Sequence, residues 1–183
     1  MDNKIIRIIV NGIRFIGKPF YNKVLAVDTT TIIRKASSAK VRIGKAFRSR
    51  RNVEINARDN GTISIGDNVF LNSSCIITAR NYIEIGDNTI FGPGVVVYDN
   101  DHVIRDGQVV DNEFITAPVI IGRNVWVGAN TVILKGSKIE DGSIIAAGSV
   151  VKGNVPVGAI LIQKRETTFK PVLGYMGDNQ NEN

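Results

Sequence analysis

One histidine, His102, supplies the chain's only imidazole. It closes the run Tyr98-Asp-Asn-Asp-His102, so two carboxylates, Asp99 and Asp101, stand just before it. An imidazole is suited to take a proton from a hydroxyl near neutral pH, because its charge change falls between about pH 5 and 8. Either acid could orient the ring, although two acids beside a polar loop more often face solvent. Taken alone, a loop histidine is most often merely solvated. The case for chemistry therefore rests on the elements that would hold it.

Those elements show a period of six. Ile121, Val127, Ile133, Ile139, Ile145, Val151 and Val157 are all aliphatic and β-branched. Two residues before each sit Val119, Val125, Thr131, Ser137, Ser143, Ser149 and Val155, small or β-branched throughout. A helix would repeat apolar residues at i+3, i+4 and i+7, and a half-buried strand at i+2. A period of six fits short strands that each end in a corner, stacking like residues along an axis. An "apolar, x, apolar, Gly" opening recurs at Val41–Gly44, Ile63–Gly66, Ile83–Gly86 and Val119–Gly122. A three-sided coil takes about 18 residues, so the first two intervals are one coil with small corner insertions. The third is a coil with a long addition. That addition, residues 103–118, breaks the phase, is polar, and is expected to leave the coil as a loop directly after His102. Loops of this length in compact domains are usually functional or disordered.

The fold expectation is all-β: a parallel β-helix of about five coils counted from Ile43. Residues 1–40 would form an N-terminal helix and connector, 41–162 the coiled domain, and 163–183 a basic exit segment and mobile tail. Over residues 4–20, Ile5, Ile9, Ile13 and Ile16 lie near one helical face and Lys4, Arg7, Arg14 and Lys18 mostly on the other. This reads as a basic amphipathic helix that caps the solenoid, with a membrane-surface contact as the sharper alternative.

The net charge of +6 suits an anionic partner, a phosphorylated cofactor or a membrane surface among them. No nucleic-acid-binding motif is present, so that class is set aside. A single cysteine, Cys75, allows no internal disulfide and suits a reducing, cytoplasmic compartment, with the inner face of the membrane as a further expectation. No apolar run approaches the roughly 20 residues of a membrane span.

The segments Ile121-Gly-Arg-Asn-Val-Trp-Val-Gly-Ala129, Gly142-Ser-Ile-Ile-Ala-Ala-Gly-Ser-Val-Val151 and Val155-Pro156 resemble the hexapeptide-repeat acyltransferases. More narrowly they resemble the galactoside, maltose and polysaccharide O-acetyltransferases, over roughly residues 40–162. The resemblance implies a left-handed β-helix, a homotrimer with sites between subunits, acetyl-CoA as acetyl donor and a saccharide acceptor. It implies His102 as general base and Asn72 as an acceptor-binding residue. Asp99 and Asp101, by their place beside His102, are further candidates for acceptor contact. Trp126, Ala129 and Ala147 fall on positions that meet the pantetheine arm. Lys152, Lys164 and Arg165 are the cations expected at the CoA phosphates. The sequence departs from the family pattern at Lys152-Gly153-Asn154 and Gln163-Lys164-Arg165.

The function expected is O-acetylation of a sugar hydroxyl, of a capsular, O-antigen or other surface polysaccharide or its precursor. Acceptors bearing an amine, and a scaffold without catalysis, are the alternatives. No metal is expected. A zinc enzyme of the γ-carbonic anhydrase kind needs three imidazoles, which one histidine could supply only by pooling across a trimer axis.

Overall fold

In the computed structural model, residues 26–164 and 166–169 are described. The expected N-terminal helix, the tail and Arg165 lie outside them. The described chain is a parallel β-solenoid with three faces. Face one stacks seven strands, from Ala26–Val27 through Phe70–Leu71, Ile90–Phe91 and Trp126–Val127 to Ile160–Leu161. Face two stacks six, from Ile32–Lys35 through Glu54–Ala57, Ile76–Ala79 and Val96–Tyr98 to Val150–Val151. Face three also stacks six, from Lys40–Ile43 to Asn154–Val155. Among the described residues the winding is thus already present at Ala26, ahead of the expected start near Val41. Strands inside the stretch read as a connector already pair with the following coil, Ala26 with Arg48 and Ile33 with Ile55.

The period of six is the length of one face plus one corner. The first residue of each corner follows the last inward residue of a strand. Leu71, Ile77, Ile85, Phe91, Ile121, Ile133, Ile139 and Ile145 project inward and are buried. Burying each such side chain is worth about 1.5–3 kcal/mol. The small residues two places earlier are buried as well, and the hydroxyls among them are satisfied by carbonyls. Thr131 Oγ1 donates to Gly128 O at 2.8 Å, and Ser143 Oγ to Pro156 O at 2.7 Å.

The Ile-Gly-x-Asn turns at Ile65, Ile85 and Ile121 have a reason in the coil that follows. A Cβ on Gly122 would meet the Asp141 carboxylate at 2.5 Å, and that carboxylate accepts from Arg123 N at 2.7 Å. The next residue, Asn124, takes φ of 55°, a left-handed conformation that asparagine tolerates better than most residues.

Two expectations need correction. The phase of six does not reach Val157. Val155 is the inward residue that pairs with Ile139, and Val157 is 72% exposed. The corner between Val151 and Val155 is two residues short, closed by Gly153 at φ of 91°. Nor is the excursion near 103–118 an irregular loop. Asn100–Arg105 and Gln108–Thr116 form an antiparallel hairpin joined by Asp106-Gly107, both at positive φ. An Asp-Gly pair between strands is the usual two-residue hairpin turn. Ala117 N donates to Asp99 O at 2.9 Å and closes the hairpin base.

Candidate active site

The hairpin leaves the solenoid at the corner between faces two and three. Its underside and the outward residues of face two enclose a groove of about 500 Å³. Glu54 and Asn56 come from one strand and Ile76 and Thr78 from the next; Arg58 and Arg80 follow at the corner. Asn100, His102, Asp111, Asn112 and Phe114 come from the hairpin.

His102 stands where the hairpin register breaks. It faces Phe114, while its neighbour Val103 faces Val110, so residues 111–113 form an extra bulge opposite. Bulges of this kind re-aim side chains beside active sites. His102 Nδ1 lies 3.3 Å from Val110 O. In the tautomer that donates this bond, Nε2 keeps its lone pair and is the basic nitrogen. Phe114 sits between two cation-capable groups. The His102 ring lies 4.5 Å from its centroid, and the Arg80 guanidinium 3.4 Å from it on a cation–π contact. Arg80 is also held by an ion pair to Asp59.

Two buried amide oxygens in the groove lack a hydrogen-bond partner: Asn56 Oδ1 and Asn100 Oδ1. Buried polar atoms are nearly always satisfied, so an orphan pair in one groove marks where a ligand's donors would sit. Sequence reading did not single out Asn56, Arg58, Arg80, Asn100 or Phe114. The usable signal was the Asp106-Gly107 turn. It predicts a hairpin, and a hairpin places its own side chains over the face beneath.

The carboxylates near His102 do not act on it. Asp99 is fully buried and accepts from Arg80 N at 2.8 Å and Asn81 N at 2.7 Å, which fixes the corner below the hairpin. Burial pushes its carboxyl up from the usual range, against these backbone bonds that lower it. Asp99 is therefore architecture rather than an acceptor contact. Asp101 alternates to the other side of the strand from His102 and pairs with Lys135 at 3.3 Å. Neither acid lines the groove.

Asn72, Ala129 and Ala147 gather elsewhere, at the corner between faces one and two. Asn72 Oδ1 accepts from Ser73 N at 2.8 Å. The left-handed residue of that corner is Ser74, so Asn72 is not required by the turn. Ala129 and Ala147 stack on consecutive coils, joined by Gly148 N to Ala129 O at 2.7 Å. The corner is shaved to backbone: a Cβ on Gly128 would meet Ala147 N at 2.5 Å. Such a bare edge fits a thin chain of amides lying against main-chain N–H and C=O groups. Trp126 is 55% exposed on face one beside it. Lys152 and Lys164 are exposed, and among the described residues neither makes an ion pair. Gln163 copies a strand instead, bonding Val150 N at 2.9 Å and Val150 O at 2.8 Å. The two groups of residues thus lie at two edges of face two. None of the residues at the second edge lines the His102 groove.

Comparison with known proteins follows these two regions. Residues 118–153 match the bacterial transferase hexapeptide (six repeats), and residues 62–99 the hexapeptide repeat of succinyl-transferase. Nodulation protein L of Rhizobium meliloti is 40% identical over 66 residues, 36% of each chain. Galactoside O-acetyltransferase of Escherichia coli is 34% identical over 67 residues, 37% of this chain and 33% of that one. The chain spans about a third of the length of these relatives. A serine-to-alanine mutant of AntD, an N-acyltransferase from Bacillus cereus, shares the fold. Its structure in complex with dTDP-4-amino-4,6-dideoxyglucose and Coenzyme A gives a TM-score of 0.53 at 16% identity, covering 78% of this chain and 84% of that one. Residues 62–99 and 118–153 thus carry hexapeptide repeats of the kind found in bacterial transferases, wound as the three-faced coil described above.

Proposed function

We propose that the protein is an acetyl-CoA-dependent O-acetyltransferase, wound as a left-handed β-helix, that acetylates a sugar hydroxyl of a surface polysaccharide or its precursor. One observation carries this reading: the only histidine lines a polar groove whose two buried amide oxygens lack donors. A polyhydroxylated acceptor supplies such donors. His102 Nε2 takes the proton of the hydroxyl as its oxygen attacks the thioester carbonyl. A backbone N–H stabilises the oxyanion. The His102 imidazolium then returns the proton to the departing thiolate. Acetyl-CoA supplies the activated acyl group. The bare corner at Ala129 and Ala147 holds its pantetheine arm, Trp126 flanks the arm, and Lys152, Lys164 and Arg165 meet its phosphates.

The two half-sites of one chain lie on different corners, which supports a homotrimer that joins the groove of one copy to the bare corner of the next. Face one supplies surface for such contacts. Phe70, Ile90, Trp126, Ile144 and Ile160 form an apolar column in register, and Ile90, Trp126 and Ile160 are exposed. Contiguous exposed apolar surface of this kind marks an interface. The buried thiol Cys75 suits the cytoplasm as the working compartment. A thioester-release assay across sugars, amino sugars, nucleotide sugars and capsule fragments tests the function. Release with hydroxyl acceptors supports it. Release confined to amines, or none with any acceptor despite CoA binding, overturns it.

A further inference from the structure

The first two coils carry a charge that the acetyl-transfer site does not use. Residues 34–51 contain eight Lys or Arg and no Asp or Glu. All eight are exposed. They surround the N-terminal end of the solenoid: Lys35 on face two, Arg42 on face three, Arg48 on face one, Arg50 and Arg51 at the corner between faces one and two. Of these eight, Arg34 alone makes an ion pair within the described residues, to Glu54 at 3.1 Å.

The other end is different. Residues 119–163 hold four cations and two acids. Three of those cations are neutralised, Arg123 by Asp141, Lys135 by Asp101 and Lys138 by Glu140. A chain that pairs its charges at one end and concentrates unpaired cations at the other tolerates self-repulsion there, and such a field serves an anionic partner.

We infer that this basic end docks on an anionic lipid bilayer. The cations lie on all three faces of the first two coils, so a plane laid across this end meets cations from each face. A nucleic-acid site would instead need a groove lined with stacking aromatics, or a helix or ribbon to enter a duplex. The sequence just before the coils, residues 4–20, adds Lys4, Arg7, Arg14 and Lys18 among nine isoleucine, valine and phenylalanine residues. Basic charge and apolar side chains together are the two signals that stable peripheral binding requires. Anionic lipid draws such cations within a Debye length of its surface. Docked this way, the His102 groove, which begins at Glu54 and Asn56 on the second coil, opens about 5 Å, one coil, from the end that meets the lipid.

The test is co-sedimentation of the full chain with vesicles, and it needs no acetyl transfer, so it stands or falls apart from the enzymatic reading. Vesicles of phosphatidylglycerol and phosphatidylcholine mixed one to two are compared with pure phosphatidylcholine. The expected result is at least ~10-fold tighter binding to the anionic vesicles, weakened by salt. The double variant Lys35→Gln/Arg42→Gln should lose at least ~5-fold, and the matched loss of charge at the far end, Arg123→Gln/Lys138→Gln, less than ~2-fold. Equal binding to both vesicle types, or equal loss in the two double variants, overturns the inference. So does a duplex oligonucleotide that binds more tightly than the anionic vesicles at the same salt.

Discussion

The three corners of the coil differ in how they tolerate length. Between faces one and two, inward residues are always six apart, from Leu71 to Ile77, Phe91 to Val97 and Ile145 to Val151. Between faces three and one the spacing is six again, as from Ile85 to Phe91 and Ile139 to Ile145. The corner between faces two and three alone varies: Ile33 to Ile43, Ile55 to Ile65, Ile77 to Ile85, Val97 to Ile121, Ile133 to Ile139 and Val151 to Val155. Its longest form is the hairpin with His102. Its shorter insertions present Arg58 and Arg80 to the same groove. Two corners therefore keep a constant length, one of them presenting the bare edge at Ala129 and Ala147, and the third gathers the side chains of the His102 groove. Loops on a rigid scaffold carry function for this reason: length can be added there without disturbing the ladder beside them.

That contrast predicts which changes affect activity and which affect stability. Removing residues 100–117 restores the spacing of six between Val97 and Ile121 and keeps Asp99 and Pro118. The solenoid should still fold, with its strand circular dichroism intact, while acetyl transfer falls by at least ~10³-fold, through loss of the base and the groove wall. Loss of the fold would show that the hairpin is structural.

Asp99→Asn should act the other way. One amide oxygen must serve two backbone N–H groups, so stability falls by about 2 kcal/mol, read as a lower denaturation midpoint. A variant as stable as the parent would remove Asp99 from the corner's architecture.

The smallest effect is expected at an invariant corner. Asn124→Ala keeps the Cβ at φ of 55° but removes the short polar side chain that eases this left-handed conformation, and should cost about 1 kcal/mol, with Asn124→Gly nearly neutral and turnover unchanged in both. A change of turnover from either variant would blur the division between the corners.

The stacking corners were legible in the sequence, because one residue in six must be aliphatic and the residues of the turn are constrained by backbone geometry. Ile121 to Val151 kept their places for that reason. The phase failed at Val157, where a corner shortened by two residues can be seen only from the register with Ile139. The variable corner was less legible. His102 stood out by its rarity, yet its partners did not. Phe114 reaches it only across a hairpin, and Asn56 lies 46 residues earlier in sequence, on a strand two coils away. Asp99 misled because proximity in sequence to an imidazole says nothing about direction; its oxygens are occupied by Arg80 N and Asn81 N.

The most direct test of this account is the turnover of His102→Ala, measured with an acceptor identified in the thioester-release panel, beside its melting temperature and CoA affinity. The account predicts a fall in turnover of roughly 10²–10⁴-fold with the other two quantities nearly unchanged, since His102 lies outside the aliphatic stack and away from the bare corner. A folded, CoA-binding variant that turns over at the parental rate would contradict it, because the chain has no second histidine to take the proton.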